Sequence, residues 1–195
     1  MDCYNNLGAA DDEARRNAIG RMMGGIRICQ EFGCRAVVTE AGTRGVNAFE
    51  RAAQSLQEVM PCAEANGVLV CIEPSYKQSV PNCYTMAGLI EAVGSANLKV
   101  MLDAANILVY DALDRMFEVL GEHVVFCHAK DCNVDAKGDP SFPSAGQGMV
   151  DYHRFVELIL EHGSPPLIIE YAREESIARV RDFLLGVIAE VEGNA

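Results

Sequence analysis

Short runs of apolar, β-branched residues alternate along this chain with longer stretches in which apolar positions recur at helical spacing. The runs are 34–40 (CRAVVTE), 67–73 (GVLVCIE), 98–103 (LKVMLD), 123–128 (HVVFCH) and 167–170 (LIIE). Each is nearly continuous in hydrophobicity rather than alternating, which is how a strand covered on both faces reads. Helical period fills 11–32, 46–65, 85–95, 109–120, 151–162 and 174–192. Gly33, Gly67, Gly121 and Gly163 follow helical stretches as C-terminal stops, and Thr85 and Asp151 suit N-caps. Pro61 is expected to bend or shorten the second helix. Strand alternating with helix is the signature of βαβ units, so the fold class is α/β with a parallel sheet. The Gly/Pro/Ser-rich stretch 135–148 (DAKGDPSFPSAGQG) reads as a long loop, and a loop of that length inside a compact domain is usually functional.

Composition narrows the function classes. The chain has 195 residues, 50% of them hydrophobic, with no linker or composition break, and reads as one domain over 1–195. Its 16 Lys+Arg stand against 28 Asp+Glu, a net charge of -12, which argues against nucleic acid and against an anionic membrane surface as partners. A small molecule remains, received through a metal or a local basic group if it is anionic. No signal-peptide pattern and no run near the ~18–20 apolar residues that cross a bilayer is present, so a cytoplasmic location is expected. The 8 cysteines (Cys3, Cys29, Cys34, Cys62, Cys71, Cys83, Cys127, Cys132) form no C-x-x-C pair and read as buried or half-buried free thiols.

The strand ends carry the chemistry. All five runs finish in a residue able to bind a metal or a proton: Glu40, Glu73, Asp103, His128 and Glu170. In a parallel α/β sheet the C-terminal strand ends share one side, where barrels and open sheets hold their active sites. Carboxylates with one imidazole make a hard, oxygen-rich group that suits one Mn²⁺, Mg²⁺ or Zn²⁺ ion, identity unspecified. Glu40 either lines such a pocket or solvates its strand end. Lys130 and Asp131 read either as a surface ion pair or as groups behind the ligands or facing substrate.

In order along the chain, IEP (72–74), LDAAN (102–106), CHAKD (127–131), AGQGMVDY (145–152) and IIEY (168–171) resemble the xylose-isomerase-like TIM-barrel superfamily, in its sugar phosphate isomerase/epimerase branch. The resemblance implies a divalent metal held by Glu73, Asp103, His128 and Glu170, with Glu73 and Glu170 also moving protons. It further implies a partial (β/α) TIM barrel whose strands correspond to the family's last five, the first three β/α units being absent. Two sheet edges would then be open and invite association of copies. The pattern departs from the family at Asn106, where a His often stands, and in having no Arg between His128 and Arg154. Glu40, Asn106, Lys130 and Asp131 are the expected substrate-facing residues. The implied reaction is isomerisation or epimerisation of a sugar or sugar phosphate through an enediolate. Two alternatives stand beside it, a lyase of the inosose-dehydratase kind and a non-catalytic partial barrel.

Overall fold

The computed structural model describes residues 1–109, 111–170 and 176–193. Tyr171 of the IIEY motif and the first two residues of the expected helix 174–192 lie outside them. The chain divides into two compact units, Met1–Met101 and Leu102–Ala195.

In the first unit, helix α1 (Asp12–Glu31) leads to strand β1 (Ala36–Thr39), helix α2 (Ala48–Asn66), strand β2 (Leu69–Ile72), helix α3 (Cys83–Val93) and strand β3 (Leu98–Asp103). β1 pairs in parallel with β2 (Val37↔Val70), and β2 with β3 (Val70↔Leu98). All four residues of β1 are buried, as a strand covered on both faces requires. Ile26 of α1 and Leu56 and Val59 of α2 supply fully buried side chains to this core.

The last two residues of β3, Leu102 and Asp103, open the second unit. Helices α4 (Ala104–Leu108) and α5 (Leu113–Leu120), strand β4 (Val124–Ala129), short strands β5 (Asn133–Val134) and β6 (Pro140–Ser141), helix α6 (Tyr152–Glu161), strand β7 (Leu167–Ile169) and helix α7 (Ile177–Gly193) follow. β4 pairs in parallel with β7 (His128↔Ile168). Phe117 and Phe155, ring centroids 6.2 Å apart, and Tyr152 against Phe183 at 5.4 Å fill the aromatic core of this unit.

The five expected strands and their parallel order are present, and several local expectations are corrected. α2 runs through Pro61 to Asn66 and stops at Gly67 (φ 62), so the proline does not shorten it. Pro61 is exposed, where water can meet the carbonyl its ring leaves without a donor. Asn82, not Thr85, caps α3: its side chain accepts the Thr85 N–H while Thr85 reaches back, a capping box that starts the helix at Cys83. Gly121 is right-handed (φ −50) and passes into a tight turn. It is glycine because a Cβ there would overlap the His162 ring. The stretch 109–120 does not make one helix, since Asp103 nucleates α4 early and α5 begins afresh at Leu113. The loop 135–148 contributes β6 to an antiparallel ribbon with β5 (Val134↔Pro140).

A feature without a hydrophobic run to announce it lies at the start. Cys3 N–H donates to Val38 O at 2.7 Å and Val38 N–H to Met1 O at 2.8 Å, a parallel bridge of Asp2 with Val38 beside β1. Among the described residues no helix is long and apolar enough to cross a membrane.

None of the eight cysteines forms a disulfide. Cys34 is exposed, Cys3 and Cys62 are half-buried, and the other five are buried. Burial pushes the Cys71 thiol up to about 12 and, with Asp131 and Asp103 nearby, the Cys132 thiol up to about 11, which disfavours the reactive thiolate. An aromatic disulfide reagent is therefore expected to modify Cys34 first, with Cys71, Cys127 and Cys132 reacting only as the chain unfolds. Rapid labelling of Cys71 in the native chain, read by peptide mass, would contradict this.

Candidate functional site

The second unit gathers three of the expected ligands by local rules. Asp103 ends β3 and caps α4, its Oδ1 accepting the Asn106 N–H at 2.9 Å while Oδ2 is left facing inward. It is 0% exposed. His128, buried, stands one residue before the end of β4. Glu170 follows β7, its N–H donating to Ala129 O at 3.1 Å and so prolonging the β4–β7 pairing by one rung. One ligand atom from each of Asp103, His128 and Glu170 lies within 4.8 Å of the others. His128 Nδ1 and Glu170 Oε2 are 3.6 Å apart.

Lys130, 5% exposed, enters the same group. Its Nζ lies 2.6 Å from Asp103 Oδ2 and 2.9 Å from Glu170 Oε2. It is thus not the partner of its sequence neighbour Asp131, because successive residues of an extended segment face opposite ways. Burial works against the Lys130 charge, but the Asp103 and Glu170 carboxylates outweigh it and hold its pKa above the ordinary lysine value. Burial, with Asp103 close by, raises the Glu170 carboxyl, and Lys130 partly offsets that rise. Asp103 Oδ2 and Glu170 Oε2 are both buried, and no hydrogen bond of good geometry reaches either. Two buried carboxylate oxygens in that condition beside an imidazole fit a divalent cation of oxygen and nitrogen preference.

Asp131 has a different task. It is 0% exposed, and its oxygens accept the N–H groups of Cys132 (2.9 Å), Gly146 (3.0 Å), Gly148 (2.8 Å) and Val150 (3.0 Å). This closes the segment 132–150 onto the end of β4. The glycines of AGQG thus cradle a carboxylate of the chain itself. A Cβ on Gly148 would overlap Asp131 Oδ1 and Cys132 O, and Gly146 sits at φ +82. Asp131→Ala leaves four amides without an acceptor, and urea unfolding is expected to show a loss of at least about 2 kcal/mol. A loss under about 0.5 kcal/mol would show that the clasp carries little.

In the first unit, Glu73 follows β2, 3% exposed, and its N–H donates to Thr39 O at 2.9 Å. The Tyr4 hydroxyl donates to Glu73 Oε2 at 2.9 Å. Nothing in the string MDCYNN singled out Tyr4, since a lone tyrosine near a terminus carries no pattern. Glu40 is half-buried just past β1, and Asn106 is buried in α4 with its backbone bound to Asp103.

Residues 1–186 match the family described as Xylose isomerase-like TIM barrel. The five parallel strands and the interleaved helices are those of an α/β barrel in part, and the chain belongs to the xylose isomerase-like TIM-barrel family. Similar solved structures include the IOLI protein with a binding zinc atom, at 17% identity and TM-score 0.84, covering 97% of this chain and 75% of that one. D-Psicose 3-epimerase with D-tagatose from Clostridium cellulolyticum H10 is similar at 20% identity and TM-score 0.76, over 94% of this chain and 74% of that one. The probable 3-DHS dehydratase AsbF of Bacillus anthracis is similar at 14% identity and TM-score 0.77, over 96% and 74%. A search of curated proteins finds no match.

Proposed function

We propose that this chain is a divalent-metal-dependent isomerase or epimerase of sugars or sugar phosphates. The observation that carries the proposal is the meeting of Asp103, His128 and Glu170 around buried carboxylate oxygens that lack well-directed hydrogen bonds. Asp103 Oδ2, His128 and Glu170 would hold the ion, and the family resemblance implies Glu73 as the fourth ligand. When bound, a divalent ion polarises the carbonyl and the neighbouring hydroxyl of a ketose.

The chain's own groups do the rest. Glu170 and Glu73 are the proton-transfer pair: one takes the proton from the carbon beside the carbonyl, and the other returns one. Return to the opposite face epimerises, and return to the neighbouring carbon isomerises. The raised pKa of Glu170 brings its carboxyl nearer the working range of a group that both takes and gives a proton. Tyr4 orients Glu73 through Oε2. Asp103 and His128 stay out of proton transfer, Asp103 because Oδ1 is tied to α4. Of the substrate-facing residues, Lys130 stands within the cluster, whereas the Asp131 carboxylate serves the backbone amides that fix the loop.

Likeness to a protein described as a dehydratase favours a second reading, in which the same proton abstraction is followed by loss of hydroxide. Product analysis separates the two. Purified chain supplied with Mn²⁺ and a panel of ketoses, ketose phosphates and inososes is expected to yield an isomeric ketose on chromatography. A dehydrated keto-compound would establish the lyase. Metal binding without conversion of any compound would leave a non-catalytic barrel module.

A further inference from the structure

We propose that the Lys130 ammonium is the resident cation of the Asp103–Glu170 carboxylate pair, and that a divalent ion enters by displacing it. Lys130 then sets how tightly the site takes metal. This rests on the metal reading above. Asp103 Oδ1 is committed to the Asn106 N–H, so the oxygen it presents is Oδ2, and Lys130 Nζ lies 2.6 Å from that atom. Glu170 Oε2 lies 3.6 Å from His128 Nδ1 and 2.9 Å from the same ammonium. The oxygens that an ion would share with the imidazole are therefore the ones the ammonium already occupies.

The contact is a buried ion pair between the ammonium and the two carboxylates. A point charge on a flexible stem is exchangeable for another point charge. An ammonium and a divalent ion on the same two buried oxygens would also repel strongly, because the interior screens charge poorly.

The surroundings let the side chain move while the backbone stays. Tyr152 donates its hydroxyl to Lys130 O at 2.9 Å, and the next residue, Asp131, is tied to its four amides. The Phe142 ring stands 5.2 Å from Nζ, a cation–π position onto which the ammonium can shift when it leaves the carboxylates.

Calorimetric titration of Mn²⁺ into the metal-free chain tests this with wild type, Lys130→Met and, as an exposed control, Lys137→Met. Removing the competing charge is expected to tighten Mn²⁺ binding by about tenfold or more, whereas Lys137→Met leaves it unchanged. Damage to the fold would weaken binding, so a gain cannot come from misfolding. Binding by Lys130→Met where wild type shows none would support displacement in its strongest form. Equal or weaker binding by a folded Lys130→Met, with wild type binding, overturns displacement and leaves the metal reading standing. No Mn²⁺ binding by either chain overturns both. A crystal structure of Mn²⁺-loaded wild type needs no variant: Nζ is expected to have left both oxygens, and its retention at both would overturn the proposal.

Discussion

Glu170→Gln in the metal-loaded chain is expected to slow proton exchange at the carbon beside a substrate carbonyl by about 10²–10⁴-fold, the range a positioned acid–base group contributes. The amide keeps the size and one oxygen of the carboxylate but cannot hold a transferable proton. Glu170 suits this role because it is half-buried, so its carboxyl is raised, while Lys130 keeps the charged form accessible. Glu73→Gln is expected to cost as much, while Asp103→Asn should act chiefly through metal affinity. Measurement at saturating Mn²⁺, with metal content determined on the same sample, separates the two effects. A Glu170→Gln chain that holds its ion and exchanges protons at the wild-type rate would remove Glu170 from the chemistry.

The second large effect concerns the ion itself. His128→Ala removes the imidazole and leaves the carboxylates with Lys130 as their cation. Wild-type chain at 100 times its dissociation constant gains about 2.7 kcal/mol from binding, which for a chain of this size raises the thermal midpoint by roughly 5–10 °C. His128→Ala is expected to show almost none of that rise on adding Zn²⁺ or Mn²⁺, and to carry little metal after dialysis. An undiminished shift in the variant, by differential scanning fluorimetry, would place the ion elsewhere on the chain.

Much of the frame was legible because of one physical regularity. A parallel strand buried on both faces must be apolar along its whole length, so VVT and LVCI stand out without any alternation to find. The residue at which such a run turns polar is the C-terminal rim, and that is how Asp103, His128 and Glu170 come together in the structure. What failed to show in the sequence depends on partners distant along the chain. Lys130 beside Asp131 looks like a local ion pair. Its real partners are 27 residues upstream, at Asp103, and 40 downstream, at Glu170. Asp131 finds its amides up to 19 residues away, at Val150. The bridge of Asp2 to Val38 is too short to leave a hydrophobic run, and Asn82 outcompeted Thr85 as a cap only through a reciprocal bond between them.

Deuterium wash-in joins the ligand cluster to the chemistry in a single experiment. The metal-free chain, supplied with Mn²⁺ and a ketose or ketose phosphate in D₂O and followed by proton NMR, is expected to place label on the carbon beside the carbonyl as an isomeric ketose accumulates. Chelation should stop both signals, fresh Mn²⁺ should restore them, and His128→Ala should show neither. Label that enters at the same rate after chelation, or a chain that holds its ion and labels no ketose or ketose phosphate, would contradict proton transfer by Glu170 and Glu73 that depends on a metal held by Asp103, His128 and Glu170.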